Sequence, residues 1–344
     1  MKHMIALLLV LCMCVPFTGC AGLSRELSER EFCEAVAVDY AQGVYTFSAL
    51  CFNLAYGNDN QDQPKYKLFT GEGNDLNAAL DDLEDLAQKA LSFDKLSAAV
   101  LGRSVDWQFA EIVDTLSAIF YTNCGASVFL TESGESLLTS IADKDIDFTE
   151  FVRLCEDPDS GGETLGFPLY EISNGIREGA VILPYIEIEG ELLSATALAA
   201  CSDTKSRLIA DPALMEAILL VKNRTNKLRV DLDVGERSVT AWLIDPRVRV
   251  SYDRQLKAYY VACSARLVTS DTVRQRARTD ADYRAALERQ GERALQEYFL
   301  LAVRQGAQQY GVILLDRSYY ESVYAPGARA SSVITVRTGI RAVN

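Results

Sequence analysis

The chain has 344 residues, of which 49% are hydrophobic and 24% charged, with a formal net charge of −14. That composition belongs to a globular protein and not to a disordered one, and the acidic balance disfavours nucleic acid and anionic lipid as partners of its body. The single histidine is His3, so Ser-His-Asp and Cys-His catalysis and His-ligated metal sites are excluded from everything downstream, which leaves carboxylate-pair chemistry as the enzymatic option.

Lys2 supplies a positive start, Ile5 to Val15 is an unbroken apolar run, and Pro16 and Gly19 then break it. This is the layout of a secretory signal, and 11 apolar residues fall short of the ~20 a membrane-crossing helix needs. Thr18-Gly19-Cys20 resembles a bacterial lipobox, with Phe17 where leucine is commoner. On this reading residues 1–19 are removed and the Cys20 thiol is acylated, anchoring an exported body to the membrane. Two or more acyl chains hold stably where one does not, since each buried CH₂ contributes ~0.8 kcal/mol.

The elements that follow alternate strand and helix. Ala35–Asp39 and Val44–Asn53 read as a hairpin about Ala41-Gln42-Gly43. Tyr56–Pro64 is a polar loop and Lys67–Thr70 a short strand. Gly71 and Gly73 mark a break, Asn74 or Asp75 caps a helix, and Leu76, Leu80, Leu83, Ala87 and Ala90 recur at helical spacing with Asp81, Asp82, Glu84 and Asp85 outward. Leu96–Leu101 reads as a strand, Trp107–Phe120 as a helix, Ala126–Leu130 as a strand and Glu135–Ile141 as a short helix. Asp157–Glu163 is a loop, Phe167–Arg177 helical, and Tyr185–Leu192 extended, with Ile186 and Ile188 alternating against Glu187, Glu189 and Glu191. Asp211-Pro212 is an N-cap with an N1 proline, opening a helix to Lys222.

The last third changes character. Leu228–Asp233, Ser238–Ile244, Arg247–Tyr252 and Tyr259–Val268 read as a meander. Thr279, with Asp282 as a capping partner, opens a long helix whose apolar stripe is Tyr283, Leu287, Ala294, Tyr298, Leu301 and Ala302. Gly311 ends it, and Ser332–Arg337 with Ile340–Val343 closes the sheet. Residues 226–344 carry 19 Lys+Arg against 13 Asp+Glu, a net of +6, which leaves −20 for residues 1–225. These shifts divide the chain into the signal 1–19, an N-terminal α/β unit 20–182, a small middle unit 183–225 and a C-terminal unit 226–344. The expected fold is α+β, its C-terminal unit an antiparallel sheet covered by a long helix.

No motif in the sequence carries a complete chemical site. Asp143-Lys144-Asp145-Ile146-Asp147-Phe148-Thr149-Glu150 begins like a calcium loop, but positions six and twelve are Phe148 and Leu154, where glycine and glutamate are required. It reads as a charged connector. Gly161-Gly162 lacks the Lys-Ser/Thr of a phosphate loop. Cys33, Cys51, Cys201 and Cys263 sit among apolar neighbours and read as small core residues; Trp107 and Trp242 read as core as well. No catalytic residue, metal site or cofactor site is expected, and Cys20 is the one functional position.

With those residues in place the chain resembles the Ger(x)C family, the lipoprotein C subunits of bacterial spore germinant receptors. The resemblance rests on the lipobox, Arg25-Glu26-Leu27, the strand Ala35-Val36-Ala37-Val38-Asp39, the helix start Gly73-Asn74-Asp75-Leu76-Asn77-Ala78-Ala79, Leu183-Pro184, the strand Ala195-Thr196-Ala197-Leu198, and Gln305 through Tyr310-Gly311. Val312 stands where the family has an aspartate, and the family's tryptophans before the last strand are missing. The resemblance implies three mixed α/β domains, no catalysis, and assembly with integral-membrane A-type and B-type subunits at the spore inner membrane. Two rival readings are a lipid-anchored cell-wall hydrolase using a carboxylate pair and a substrate-binding lipoprotein, which would normally have two lobes built on parallel sheets.

Overall fold

The computed structural model describes residues 30–56, 64–120, 123–157, 163–176, 181–202, 205–253, 258–312 and 333–342. Cys20 and the signal segment lie outside them.

The chain opens with a hairpin of β1 (Arg30–Ala41) and β2 (Val44–Phe52), turning on Gln42 and Gly43, both at positive φ. β3 (Tyr66–Gly73) pairs antiparallel with β2, longer at both ends than its sequence suggests. Helix α1 (Leu76–Ala87) starts where Asp75 accepts a hydrogen bond from Ala78 N, and turns Leu76, Ala79, Leu83 and Ala87 inward. It lies so close to β3 that a Cβ on Gly71 would meet Leu83 N at 2.3 Å. Only glycine permits that approach.

A short strand, β4 (Ala90–Ser92), and β5 (Ala98–Gly102) both run parallel to β1. The predicted helix 107–120 is a 3₁₀ segment, Arg103–Gln108, continuing into α2 (Phe109–Ile119). β6 (Ser127–Thr131), α3 (Gly134–Asp143), α4 (Phe148–Glu156) and α5 (Leu169–Ile176) follow. Then come β7 (Val181–Glu189), β8 (Leu192–Ser202) and β9 (Lys205–Ile209).

All nine strands make one sheet, in the order β3-β2-β1-β5-β6-β7-β8-β9 with β4 attached to β1. Its centre is parallel, as helical crossovers dictate, and its two wings are antiparallel hairpins. The stretch after residue 181 therefore extends the first sheet, and β7 runs across the 182/183 boundary read from the sequence. Both faces are buried, and alternation sorts the residues. Val36, Val38, Ala99, Leu101, Val128 and Leu130 enter the core under α1 and α2, whereas Ala35, Ala37, Ala98, Val100 and Phe129 enter a second core under α3 and α4.

Helix α6 (Pro212–Val221), capped by Asp211 with proline at its start, leads to the C-terminal sheet. Here β10 (Lys227–Val234), β11 (Arg237–Asp253) and β12 (Ala258–Thr269) are antiparallel neighbours. Two strands expected from the sequence are one long strand, β11, with an irregularity between Ile244 and Arg247 where Asp245 has φ +48°. The closing strand β13 (Val333–Ala342) pairs parallel to β12, not antiparallel. The physical reason is the helical crossover between them, which carries the chain back from the end of β12 to the end of the sheet where β12 began.

That crossover contains two helices where the sequence suggested one. α7 (Asp271–Thr279) ends at Thr279, and α8 (Ala281–Leu301) begins after Asp280, which accepts from Tyr283 N at 2.9 Å. A π-helical segment, Ala302–Ala307, and a last turn, Gln308–Tyr310, lead to Gly311 at φ +71°. α8 buries Leu287, Gly291, Leu295 and Phe299, so the stripe is centred away from Tyr283, Ala294, Tyr298 and Leu301, which pack along its margins. Gly291, which has no side chain to register as apolar, hid that centre line.

Candidate interaction surface

The groove between the connector 144–147 and the β7–β8 hairpin is built by local rules. At the end of α3, Asp145 takes the left-handed conformation, φ +51°, and Ile146 N donates to Ile141 O at 3.1 Å, closing the helix. Asp147 then caps α4, its Oδ1 accepting from Glu150 N at 3.0 Å. Its other oxygen meets Lys65 Nζ at 3.1 Å. The stretch that begins like a calcium loop is thus a helix-turn-helix corner.

Opposite, β7 and β8 turn through Gly190 at φ +68° and Glu191. Lys144 Nζ donates to Gly190 O at 2.8 Å and ties one wall to the other. The groove encloses about 860 Å³. Phe151 anchors its inner wall, with ring centroids 5.7 Å from Phe129 and 6.2 Å from Phe148. Two leucines on the lining are unusually open to solvent for their size, Leu154 at 43% and Leu192 at 74%. Asp145 and Glu191 add carboxylates to the lining. The Asp147 carboxyl is held below its ordinary value by the Glu150 N–H and by Lys65.

This arrangement offers apolar contact with an acidic border and no nucleophile–base pair. Among the described residues no group of three or more His, Cys, Asp or Glu is placed to hold a metal, and no helix is long and apolar enough to cross a membrane.

The other residues singled out by sequence fall as follows. Cys20 lies outside the described residues. Cys33, Cys51, Cys201 and Cys263 are buried, as expected of core residues. Trp242 is only half-buried, because it sits on the outer face of β11, where Lys227 Nζ lies 4.0 Å from its ring centroid. Asp81, Asp82, Glu84 and Asp85 are exposed on α1, and Asp82 accepts from Glu72 N. Two polar positions escaped the sequence reading. Glu31, 3% exposed, is held between Lys67 and Lys89, each at 3.2 Å. Asp39 accepts from Gly134 N and Glu135 N at the start of α3. The lysines lie far from Glu31 in sequence, and so do the α3 amides from Asp39, which is why neither arrangement is legible locally.

Comparison with known proteins gives two findings. Residues 24–188 match the family model of the spore germination protein N-terminal domain. The crystal structure of the GerBC protein aligns over 90% of this chain and 97% of that chain, with a TM-score of 0.49 and 8% identity. No curated protein matches.

Proposed function

We propose, for a chain that belongs over residues 24–188 to the spore germination protein N-terminal domain family, that it is the C-type subunit of a nutrient-germinant receptor and is needed for germination. In this reading the subunit is non-catalytic. It is held at the spore inner membrane by lipid on Cys20 and assembles there with integral-membrane A-type and B-type subunits. The observation that carries the reading is the family match, which begins four residues after the lipobox-like Thr18-Gly19-Cys20. The groove beside Leu154 and Leu192 is the surface this reading offers to a partner subunit. Its lining suits a segment presenting an apolar side chain next to a basic one, since burial of the leucines favours association and Asp145 and Glu191 attract the cation.

The test is a deletion strain complemented with the wild-type chain or with Cys20→Ala. Wild type is expected to restore nutrient-triggered germination and to incorporate labelled palmitate, and Cys20→Ala to do neither. Equal labelling of both chains overturns the anchor. Normal nutrient germination of the deletion strain overturns the receptor role.

A further inference from the structure

Cys33 in β1 and Cys51 in β2 are direct register partners across an antiparallel pair, and their Sγ atoms are 3.3 Å apart. Residues opposed in this way have Cα atoms about 4.5–5.5 Å apart, inside the roughly 4.4–6.8 Å that a disulfide spans. Beside the pair β1 carries a register shift between Cys33 and Ala35, which gives the backbone local freedom to adjust. Neither side chain reaches solvent, each being 0% exposed. Cys124, by contrast, donates to Phe120 O.

We propose that Cys33 and Cys51 are an oxidation site that closes into a cross-strand disulfide when the chain folds in the presence of a disulfide oxidant, the condition an exported chain meets. The electron acceptor is a small-molecule disulfide or the disulfide of a thiol oxidoreductase. One cysteine thiolate attacks the oxidant's disulfide, forming a mixed disulfide and releasing one oxidant thiol. The second cysteine thiolate then attacks the protein sulfur of that mixed disulfide and releases the other oxidant thiol. The two cysteines lose two electrons and two protons, and the oxidant gains both.

Timing follows from burial. In the folded, reduced protein the hydrogen bond to Cys51 and the loss of solvent push the Cys33 thiol far above the usual range, so Cys33 is no attacking thiolate, and with both sulfurs buried no oxidant reaches the pair. Closure therefore precedes completion of the core, when the β1–β2 hairpin has formed but α1 has not covered it. Once closed, the bond is as inaccessible to reductant as the thiols were to oxidant. Its effect is to fix the hairpin register on which β3, β4 and β5 assemble.

The part played by export rests on the proposed function; the folding chemistry does not, and the experiment separates them. The full chain is unfolded under reducing conditions and refolded in detergent with oxidised glutathione. Free thiols are then trapped with iodoacetamide in denaturant and the chain is digested with trypsin. Cys33 and Cys51 lie together on the peptide 31–65, which has no internal Lys or Arg. The expected peptide is unalkylated and two hydrogens lighter than its dithiol form, whereas the peptides bearing Cys124, Cys155, Cys201 and Cys263 are alkylated. A 31–65 peptide carrying two alkyl groups overturns the proposal. So does glutathione or disulfide spread equally over all the cysteines. Closing a loop of this length should raise the unfolding midpoint of wild type over its reduced form by roughly 5–10 °C, with no such gap in Cys33→Ser. The same trap applied to chain recovered from spore membranes reads the state in the cell. Palmitate-labelled protein with both thiols alkylated would reject the export condition while leaving the anchor standing.

Discussion

Asp39 occupies the space that a side chain at Gly102 would need: a Cβ built on Gly102 lies 1.8 Å from Asp39 Oδ1. The carboxylate at the end of β1 leans over the neighbouring strand β5 to reach α3. There it accepts from Gly134 N at 3.1 Å and Glu135 N at 2.8 Å, a favourable place for negative charge. Gly102→Ala must therefore displace the carboxylate or bend the strand. A cost of ~1–3 kcal/mol is expected from overpacking. Asp39→Asn should cost ~0.5–2 kcal/mol through the weaker helix-start bonds, with no steric conflict. Urea melts of the full chain compare them. A Gly102→Ala midpoint equal to wild type refutes the shared volume.

The centre line of α8 makes a second prediction. Phe299 is fully buried and Leu301 is partly exposed at the margin. Phe299→Ala should cost ~3–5 kcal/mol as a cavity opens in the core, and Leu301→Ala clearly less. Domain stabilities of ~5–15 kcal/mol make the difference visible in thermal melts. If Leu301→Ala were the more damaging, the helix would be rotated from the orientation described.

Asp147 ties stability to pH. Its folded-state carboxyl titrates below the ordinary 3.8, because the Glu150 N–H and then Lys65 favour the ionised form. A group depressed on folding contributes stability that is complete above its unfolded value and is lost as pH falls through its folded one. The wild-type chain should thus lose an increment of stability below about pH 4 that Asp147→Asn lacks, and asparagine retains a capping oxygen. Denaturant midpoints from pH 7 to pH 2 test this. Parallel curves for the two proteins count against it.

The groove gives a prediction that stability should not share. Leu192 is 74% exposed, so Leu192→Asp should leave the melt within ~0.5 kcal/mol of wild type, as surface changes do. Co-purification with the membrane subunits of the proposed receptor should nevertheless fall several-fold. Unchanged recovery of those subunits would remove the groove from the interface.

What the sequence revealed follows from how far each signal reaches along the chain. Asp211-Pro212 and the turn at Gln42-Gly43 state their conformations within a few residues, and both stand where expected. α7 went unread because its turns bury only Ala277 among arginines, leaving no apolar period to detect. α4 was hidden because a charged connector runs directly into its first turn. The direction of β13 depends on a crossover, and a strand's own residues do not encode the sense of its pairing. The Leu154–Leu192 groove is invisible for the same reason. Each leucine looks like core in its own element, and only the packing of α4 beside the hairpin leaves both in water.

The parallel strand β13 also constrains the order of folding. Val333 pairs with Ala258, and the whole of α7 and α8 lies between them. This is a high-contact-order pairing, whose closure entropy must be met before any ladder bond returns it. A chain made from its first residue onward presents β10, β11 and β12 well before β13. During that interval the β12 ladder has an open edge of the kind that recruits foreign strands. The strand that covers the β12 edge is thus the last of the described strands to be made, and the pace of chain delivery sets how long that edge stays unprotected.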